Sequence, residues 1–510
     1  MAGAIPAVDE NLEHFRTDHL VENLGKRAVS GGFLTAGAQA AKFVLNLGSA
    51  AALARLLSPK EFGLVGMVLA ITGLLGLFKE LGLSTATVQK ETITQEQVSN
   101  LFWINVGLSG AAALASICMA PLVAWFYHDP RLIPIMLALS VTFLLTGSTV
   151  QHQALLLRQM RFRAIAIIEV VSMVAGVLTA CSLAYFGFSY WALVYQQVCL
   201  AAATLGLIWW TSGWRPSLPR RGSGVRPMLR FGAHLTASDL VGRVAIASDS
   251  ILVGRVFGAE ALGLYSRGSV LLARPLEQLL TPISSVVIPV LSRLQSEPAR
   301  YRRTFIRAFE TLALLTFPFA ALCLALAEPI VLVVLGPKWR EVVPIFSGFA
   351  LVAVSLPMSL TPSWLFTSQG RGKDLLQAYT ITGGITVASF LVGLRWGPVG
   401  VVLSLAVASI FIRLPILYYL AGRRGPVSIG DLWNSFLCYL PYWVVVFVST
   451  AYLRRIVAHM TPLAQLAICT PVGLAASLSM ALSFARSRTS VMYAVNILRQ
   501  SRLGRRSSTA

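Results

Sequence analysis

The feature that most constrains this chain is a succession of apolar blocks about twenty residues long, joined by connectors that are often only a few residues. Such a block, wound as an α-helix, matches a hydrocarbon core roughly 30 Å thick. Backbone in lipid must satisfy its own hydrogen bonds, so a span is a helix or part of a closed barrel, and blocks this long and continuous are helices. About fourteen spans are expected, near residues 29–57, 62–85, 100–127, 132–154, 164–186, 189–211, 231–257, 261–291, 305–335, 342–367, 376–396, 398–421, 433–453 and 463–485. Only 12% of the residues are charged and 56% are hydrophobic, against about 25% charged in soluble domains. The expected fold is an all-α polytopic membrane protein.

The net charge of +21 raises nucleic acid as a partner, because basic chains bind phosphate backbones. The Lys and Arg residues sit mostly in short connectors, and no segment matches a nucleic-acid module, so nucleic acid is not expected. The charge reads as a topology signal instead. With the N-terminus inside, the inner connectors collect Arg158, Arg161 and Arg163, then Arg215 to Arg230, Arg293 to Arg307, Arg371 and Lys373, Arg423 and Arg424, and the tail after Arg486. Positive residues favour the cytoplasmic side, so both termini are expected in the cytoplasm. The polar first residues, with Asp9, Glu10, Glu13, Asp18 and Glu22, do not resemble a signal peptide. Cys118, Cys181, Cys199, Cys323, Cys438 and Cys469 are scattered singly, so neither disulfides nor a metal site is expected, and no cofactor is called for.

The expected organisation is a polar extension (1–28), an N-terminal lobe of six spans (29–211), a basic linker (212–230), a C-terminal lobe of six spans (231–421), two further spans (422–485) and a basic tail (486–510). A weak internal repeat supports two lobes. Arg55, Gly63 and Leu64 recur as Arg255, Gly263 and Leu264, and Leu34-Thr35-Ala36 recurs as Leu235-Thr236-Ala237. Six spans separate equivalent points, so the lobes would share one orientation about an axis along the membrane normal. That is a transporter plan.

Ionisable side chains inside spans are costly and usually face a cavity or a partner. Lys79, Glu80 and Glu169 lie near span ends, where long side chains can reach water. Lys42 lies mid-span, with Gln39 and Asn46 at helical spacing on the same face. Asp239 and Arg243 are four apart and can pair, either to line a cavity or to let their span insert. Arg267 and Arg274 share a face two turns apart, with Glu277 three residues on. Guanidinium groups present paired donors that suit a pyrophosphate. The candidate cavity residues are therefore Lys42, Arg243, Arg267 and Arg274, with Asp239 and Glu277 as ion-pair or coupling groups and Gln39 and Asn46 as a polar face. Pro275, Pro282 and Pro289 are expected to bend their helix. There is no GxxxxGK[ST], HExxH or GxSxG segment and no long outer connector, which argues against an enzyme.

At this point several stretches carry a family resemblance. They include LARLLSPKEFGLVGM from Leu53, ELGLSTATVQ from Glu80, LLRQMRFRAIAIIE from Leu156, WRPSL from Trp214, DSILVGRVFGAEALGLYSR from Asp249, VVIPVLSRLQ from Val286 and LTFPFAALCLALAEPIVLVVLGPKW from Leu315. Together they resemble the polysaccharide transporter (Wzx-type) family of the multidrug/oligosaccharidyl-lipid/polysaccharide flippase superfamily, on the branch that exports colanic acid and exopolysaccharide. The resemblance implies two six-helix lobes, two further helices and a central cationic cavity. It also implies an undecaprenyl-pyrophosphate-linked repeat unit as substrate, moved to the periplasmic leaflet, with a polymerase and export machinery as possible partners. It supplies no agreed catalytic motif. A drug extruder of the same superfamily and a membrane polysaccharide polymerase are the rival readings.

Overall fold

The computed structural model describes Phe15 and residues 24–79, 82–90, 92–220 and 226–483, with side chains described throughout these except at 24–36, 78–79, 226–242, 279 and 282. The side chains of Lys79, Glu80 and Asp239 lie outside that set, as do most of the polar extension and the basic tail. Among the described residues the chain is helical, with no strand. In order the helices are α1 (Leu24–Leu56), α2 (Pro59–Leu75), α3 (Leu83–Gln89), α4 (Gln95–Tyr127), α5 (Leu132–Gly147), α6 (Val150–Arg158), α7 (Phe162–Tyr185), α8 (Trp191–Ser212) and α9 (Arg226–Arg293). They continue with α10 (Pro298–Ala325), α11 (Ala327–Val334), α12 (Val342–Ser368), α13 (Gly372–Gly393), α14 (Gly397–Ala408), α15 (Leu414–Gly422), α16 (Ile429–Ile456) and α17 (Pro462–Ser483). Each expected span has a helix or a broken helix at its place. Nine helices among the described residues are long and apolar enough to cross a bilayer, or ten with the bent helix at Arg243–Arg293.

The connectors stop the helices by recognisable chemistry. Ser58 caps α2: its hydroxyl donates to Glu61 Oε2 at 2.8 Å, and Glu61 also takes the Ser58 backbone N–H. Gly258 breaks α9 with φ 83°, a conformation that costs glycine little. Farther on, α9 bends by 45° between Gln278 and Ile283, at the second of the three spaced prolines. The connector 128–131 closes on a local pair in which Arg131 reaches Asp129 Oδ2 at 2.7 Å. That hydrogen bond holds the Asp129 carboxyl below its usual range.

The chain divides into two compact units, Met1–Gly263 and Leu264–Ala510. Residues 231–263, grouped by the sequence with the C-terminal lobe, thus pack with the first unit. The reason is close backbone approach at the repeated motif. A Cβ on Gly63 would collide with the Ala259 carbonyl, and a Cβ on Gly263 would collide with the Pro59 carbonyl. Ala259 is Pro59 shifted by 200 positions, as Gly263 is Gly63. The contact is reciprocal, like the interface of a two-fold dimer made within one chain.

In the first unit α1 packs on α7, α7 on α8, and α4 on α5. The basic linker is pinned here along its first half. Trp214 is fully buried. Gln95 donates to the Arg215 carbonyl at 2.9 Å, Ser217 N–H to Ser99 Oγ at 3.0 Å, and Asn100 both gives to and takes from the Arg220 backbone. In the second unit α10 packs on α12 and α16, α13 on α14, and α16 on α17.

A second repeated element joins α6 to α7 and α12 to α13. Arg161 N–H donates to the Leu156 carbonyl at 2.9 Å, and 210 positions on Arg371 N–H donates to the Phe366 carbonyl at 2.8 Å. Met160 and Gly370 both take positive φ, 54° and 68°. Arg161 (φ −78°, ψ 51°) and Arg371 (φ −84°, ψ 51°) then open helices in the same way.

Candidate cavity in the first unit

Three helices of the first unit present the same spacing to one space. Leu69, Thr72, Gly73 and Gly76 come from α2 and its end; Leu139, Thr142, Phe143 and Thr146 from α5; Gln197, Leu200, Ala201 and Thr204 from α8. Each set follows i, i+3, i+4, i+7, one face of a helix. With Thr85 and Arg243 they line an open-sided cavity of about 560 Å³. Small residues leave the room: a Cβ on Gly73 would meet no atom within 4 Å.

The wall has a definite hydrogen-bonding character. Thr72, Thr142, Thr146 and Thr204 give their hydroxyl hydrogens to the carbonyls of Val68, Leu139, Thr142 and Leu200. A hydroxyl that has committed its hydrogen still accepts through its lone pairs. Those oxygens, with the Gln197 amide, therefore offer acceptors to a ligand rich in O–H groups. Arg243 supplies the charge, and its exposed guanidinium fits a phosphate oxygen pair. No carboxylate lines the cavity among the described residues.

Of the residues singled out in the sequence, Arg243 lies in this wall. Lys42 lies outside it and donates to Glu169 Oε2 on α7 at 2.9 Å, so that two costly charges in neighbouring spans neutralise each other. Gln39 is half-buried and Asn46 exposed on the same helix. Asp239 lies outside the described side chains. Arg267, Arg274 and Glu277 belong to the second unit. There Arg274 reaches Glu277 at 3.4 Å with both side chains well exposed. Arg413 donates to Ser409 Oγ at 3.0 Å across a π-turn. The threonines, Gln197 and Gly73 were not singled out, because a search for charge passes over neutral polar residues. Their signal was the shared i, i+3, i+4, i+7 pattern on three apolar spans.

A family model described as polysaccharide biosynthesis protein matches residues 52–344. Among curated relatives, the lipopolysaccharide biosynthesis protein WzxC of Escherichia coli (strain K12) is 23% identical, over 83% of this chain and 88% of its own length. The amylovoran biosynthesis protein AmsL of Erwinia amylovora is 28% identical, over 65% of this chain and 87% of its own. In fold, the chain is similar to the lipid II flippase MurJ in an inward closed conformation, with TM-score 0.69 and 15% identity over 90% of this chain and all of that one. It is also similar to an inward-facing multidrug resistance MATE transporter, with TM-score 0.58 and 13% identity over 76% of this chain and 95% of that one. The family match spans more than half of the sequence and agrees with the all-α membrane architecture, and this chain belongs to the polysaccharide biosynthesis protein family.

Proposed function

We propose that this protein is a flippase that moves a lipid-linked oligosaccharide repeat unit across the bacterial inner membrane, from the cytoplasmic to the periplasmic leaflet. The observation that carries this reading is the cavity of the first unit, with its acceptor-rich threonine wall and single guanidinium, in a chain of a polysaccharide biosynthesis family. Sugar hydroxyls would donate to the threonine oxygens and Gln197 while Arg243 holds a phosphate of the undecaprenyl pyrophosphate. Lys42, Arg267 and Arg274 would complete the cationic set as the two lobes alternate, and Asp239 would couple the cycle. Both termini would lie in the cytoplasm, the side favoured by the basic connectors. Two negative charges moved outward through 100 mV gain roughly 4–5 kcal/mol, enough to bias the cycle. Downstream, a polymerase and export machinery would take the product. A drug extruder is the second reading, raised by the MATE likeness, and a cavity with a guanidinium and no described carboxylate disfavours its cationic substrates.

The test is flipping of a lipid-linked glycan in proteoliposomes containing the full chain. Loss of one charge-assisted hydrogen bond costs about 1.5–3 kcal/mol, so Arg243→Gln should slow flipping about tenfold or more. Gly73→Leu should block it by filling the cavity while leaving the fold at least as stable, since leucine suits a helix better than glycine by up to about 1 kcal/mol. Unchanged flipping by both variants would remove the cavity from the mechanism.

A further inference from the structure

The repeated turn that opens α7 and α13 holds a carboxylate of the chain in one copy and, among the described residues, none in the other. In the second unit, Asp374 lies three residues after Arg371 and accepts from its Nε at 2.8 Å. Arg423 adds a second contact to the same carboxylate at 3.2 Å. Shifted by 210 positions, Arg371 becomes Arg161, Lys373 becomes Arg163, and Asp374 becomes Ala164. The first unit thus keeps the backbone and both cations of the turn and lacks the carboxylate. The guanidinium groups of Arg161 and Arg163 are exposed and, among the described residues, neither forms a side-chain hydrogen bond or ion pair. Ala164 opens instead onto a cavity of about 400 Å³ between the start of α7 and the end of α8.

The rest of that cavity states what kind of anion fits. Ile167, Ile168 and Leu207 form its walls, with Trp210, 83% exposed, at its edge. Both helices are apolar enough to span a bilayer, and within one these walls would lie at the depth of the acyl chains with the two arginines at its boundary, where tryptophan is enriched. Two cations at a helix N-terminus also oppose the helix dipole, a cost that a bound anion removes. A soluble phosphate would leave the apolar wall unused, and a peptide or nucleic acid would not enter the membrane.

We infer that Arg161 and Arg163 bind the phosphate of an anionic membrane phospholipid, whose chains lie along Ile167, Ile168 and Leu207 under Trp210. The site is separate from the sugar cavity and does not depend on the flippase reading. In the second unit Asp374 fills the equivalent place from within.

The test is native mass spectrometry of the purified full chain titrated with phosphatidylglycerol or phosphatidylcholine. Wild type should retain one phosphatidylglycerol at least about tenfold more strongly than phosphatidylcholine, the discrimination that one or two charged hydrogen bonds support. Ala164→Asp, which supplies the missing carboxylate without removing an arginine, should abolish that preference, as should Arg161→Gln/Arg163→Gln, with helical content unchanged. Equal retention of the two lipids by wild type, or a preference that survives Ala164→Asp, would overturn the assignment. A third arm adds undecaprenyl pyrophosphate. Displacement of the bound phosphatidylglycerol by an equimolar amount would assign the turn to the substrate and overturn the lipid reading, and persistence of phosphatidylglycerol would support it.

Discussion

The turn entering α7 and the turn entering α13 share their backbone to within a few degrees at the opening arginine, yet their electrostatics diverge. Arg371 is consumed by its own protein: besides Asp374, it donates to the carbonyls of Leu420 at 2.8 Å, Ala421 at 3.0 Å and Arg424 at 2.7 Å, which ends α15. Among the described residues, the Arg161 guanidinium donates to none of the equivalent carbonyls. In the first unit the work of capping falls to Arg158, whose guanidinium donates to the Thr87, Val88 and Lys90 carbonyls at the end of α3. The difference teaches that an internal repeat keeps what the backbone requires, a residue able to turn at positive φ followed by a helix start. The side chains around that turn are then free to become structure in one copy and a site in the other. Where the copies touch each other, at Gly63 and Gly263, no such freedom is left.

The largest expected effect tests that last point. Gly63→Val and Gly263→Val each drive a side chain into a facing carbonyl, and each should cost about 3 kcal/mol or more, read as thermal unfolding of the purified chain. Because the contact is reciprocal, the two losses should be alike. A tolerated change at one position alone would break the symmetry of the repeat. Next in size, Arg371→Gln should cost roughly 2–3 kcal/mol, because it strips charged hydrogen bonds from carbonyls at a helix end. Arg161→Gln should stay within about 0.5 kcal/mol, as for exposed positions. Equal losses would mean that both turns are structural and would undo the contrast drawn between them.

A modest, pH-dependent effect comes from a connector whose pair is purely local. Arg131 lowers the Asp129 carboxyl below its unfolded value. The pair therefore stabilises the fold above the unfolded pKa, and the contribution disappears as pH falls through the folded one. Asp129→Asn should cost up to about 1 kcal/mol at neutral pH and nothing in acid, which thermal unfolding at two pH values would check. A loss that persists in acid would mean that Asp129 acts through packing.

Much of this molecule was legible in its sequence because bilayer thickness is a strict ruler. Every apolar block became a helix or a broken helix, and Gly187 and Gly258, in the gaps between expected spans, take positive φ. The 200-residue repeat was visible as three matched residues, but its meaning was not. That Gly63 meets Ala259 depends on two distant segments approaching, which no local pattern records. The same holds for residues 231–263, which pack with the first unit through these glycines, and for the linker, whose Trp214 is buried against the start of α4. At the cavity, Arg243 stood out because charge in a span is rare. Thr72, Thr142, Thr146 and Thr204 did not, since threonine in an apolar helix ordinarily bonds its own backbone, as these do. Only the convergence of three helix faces turns that ordinary habit into a wall of acceptors.

The central claim, that this chain moves lipid-linked sugar between leaflets, is tested most directly by finding where that lipid accumulates when the protein is depleted. A sugar-specific lectin applied to intact spheroplasts and to inverted vesicles reads the two faces separately. Single repeat units should accumulate on the cytoplasmic face, relieved by the wild-type chain and not by Arg243→Gln. Accumulation on the periplasmic face would contradict it, because flipping would then be intact and the block would lie in a later step.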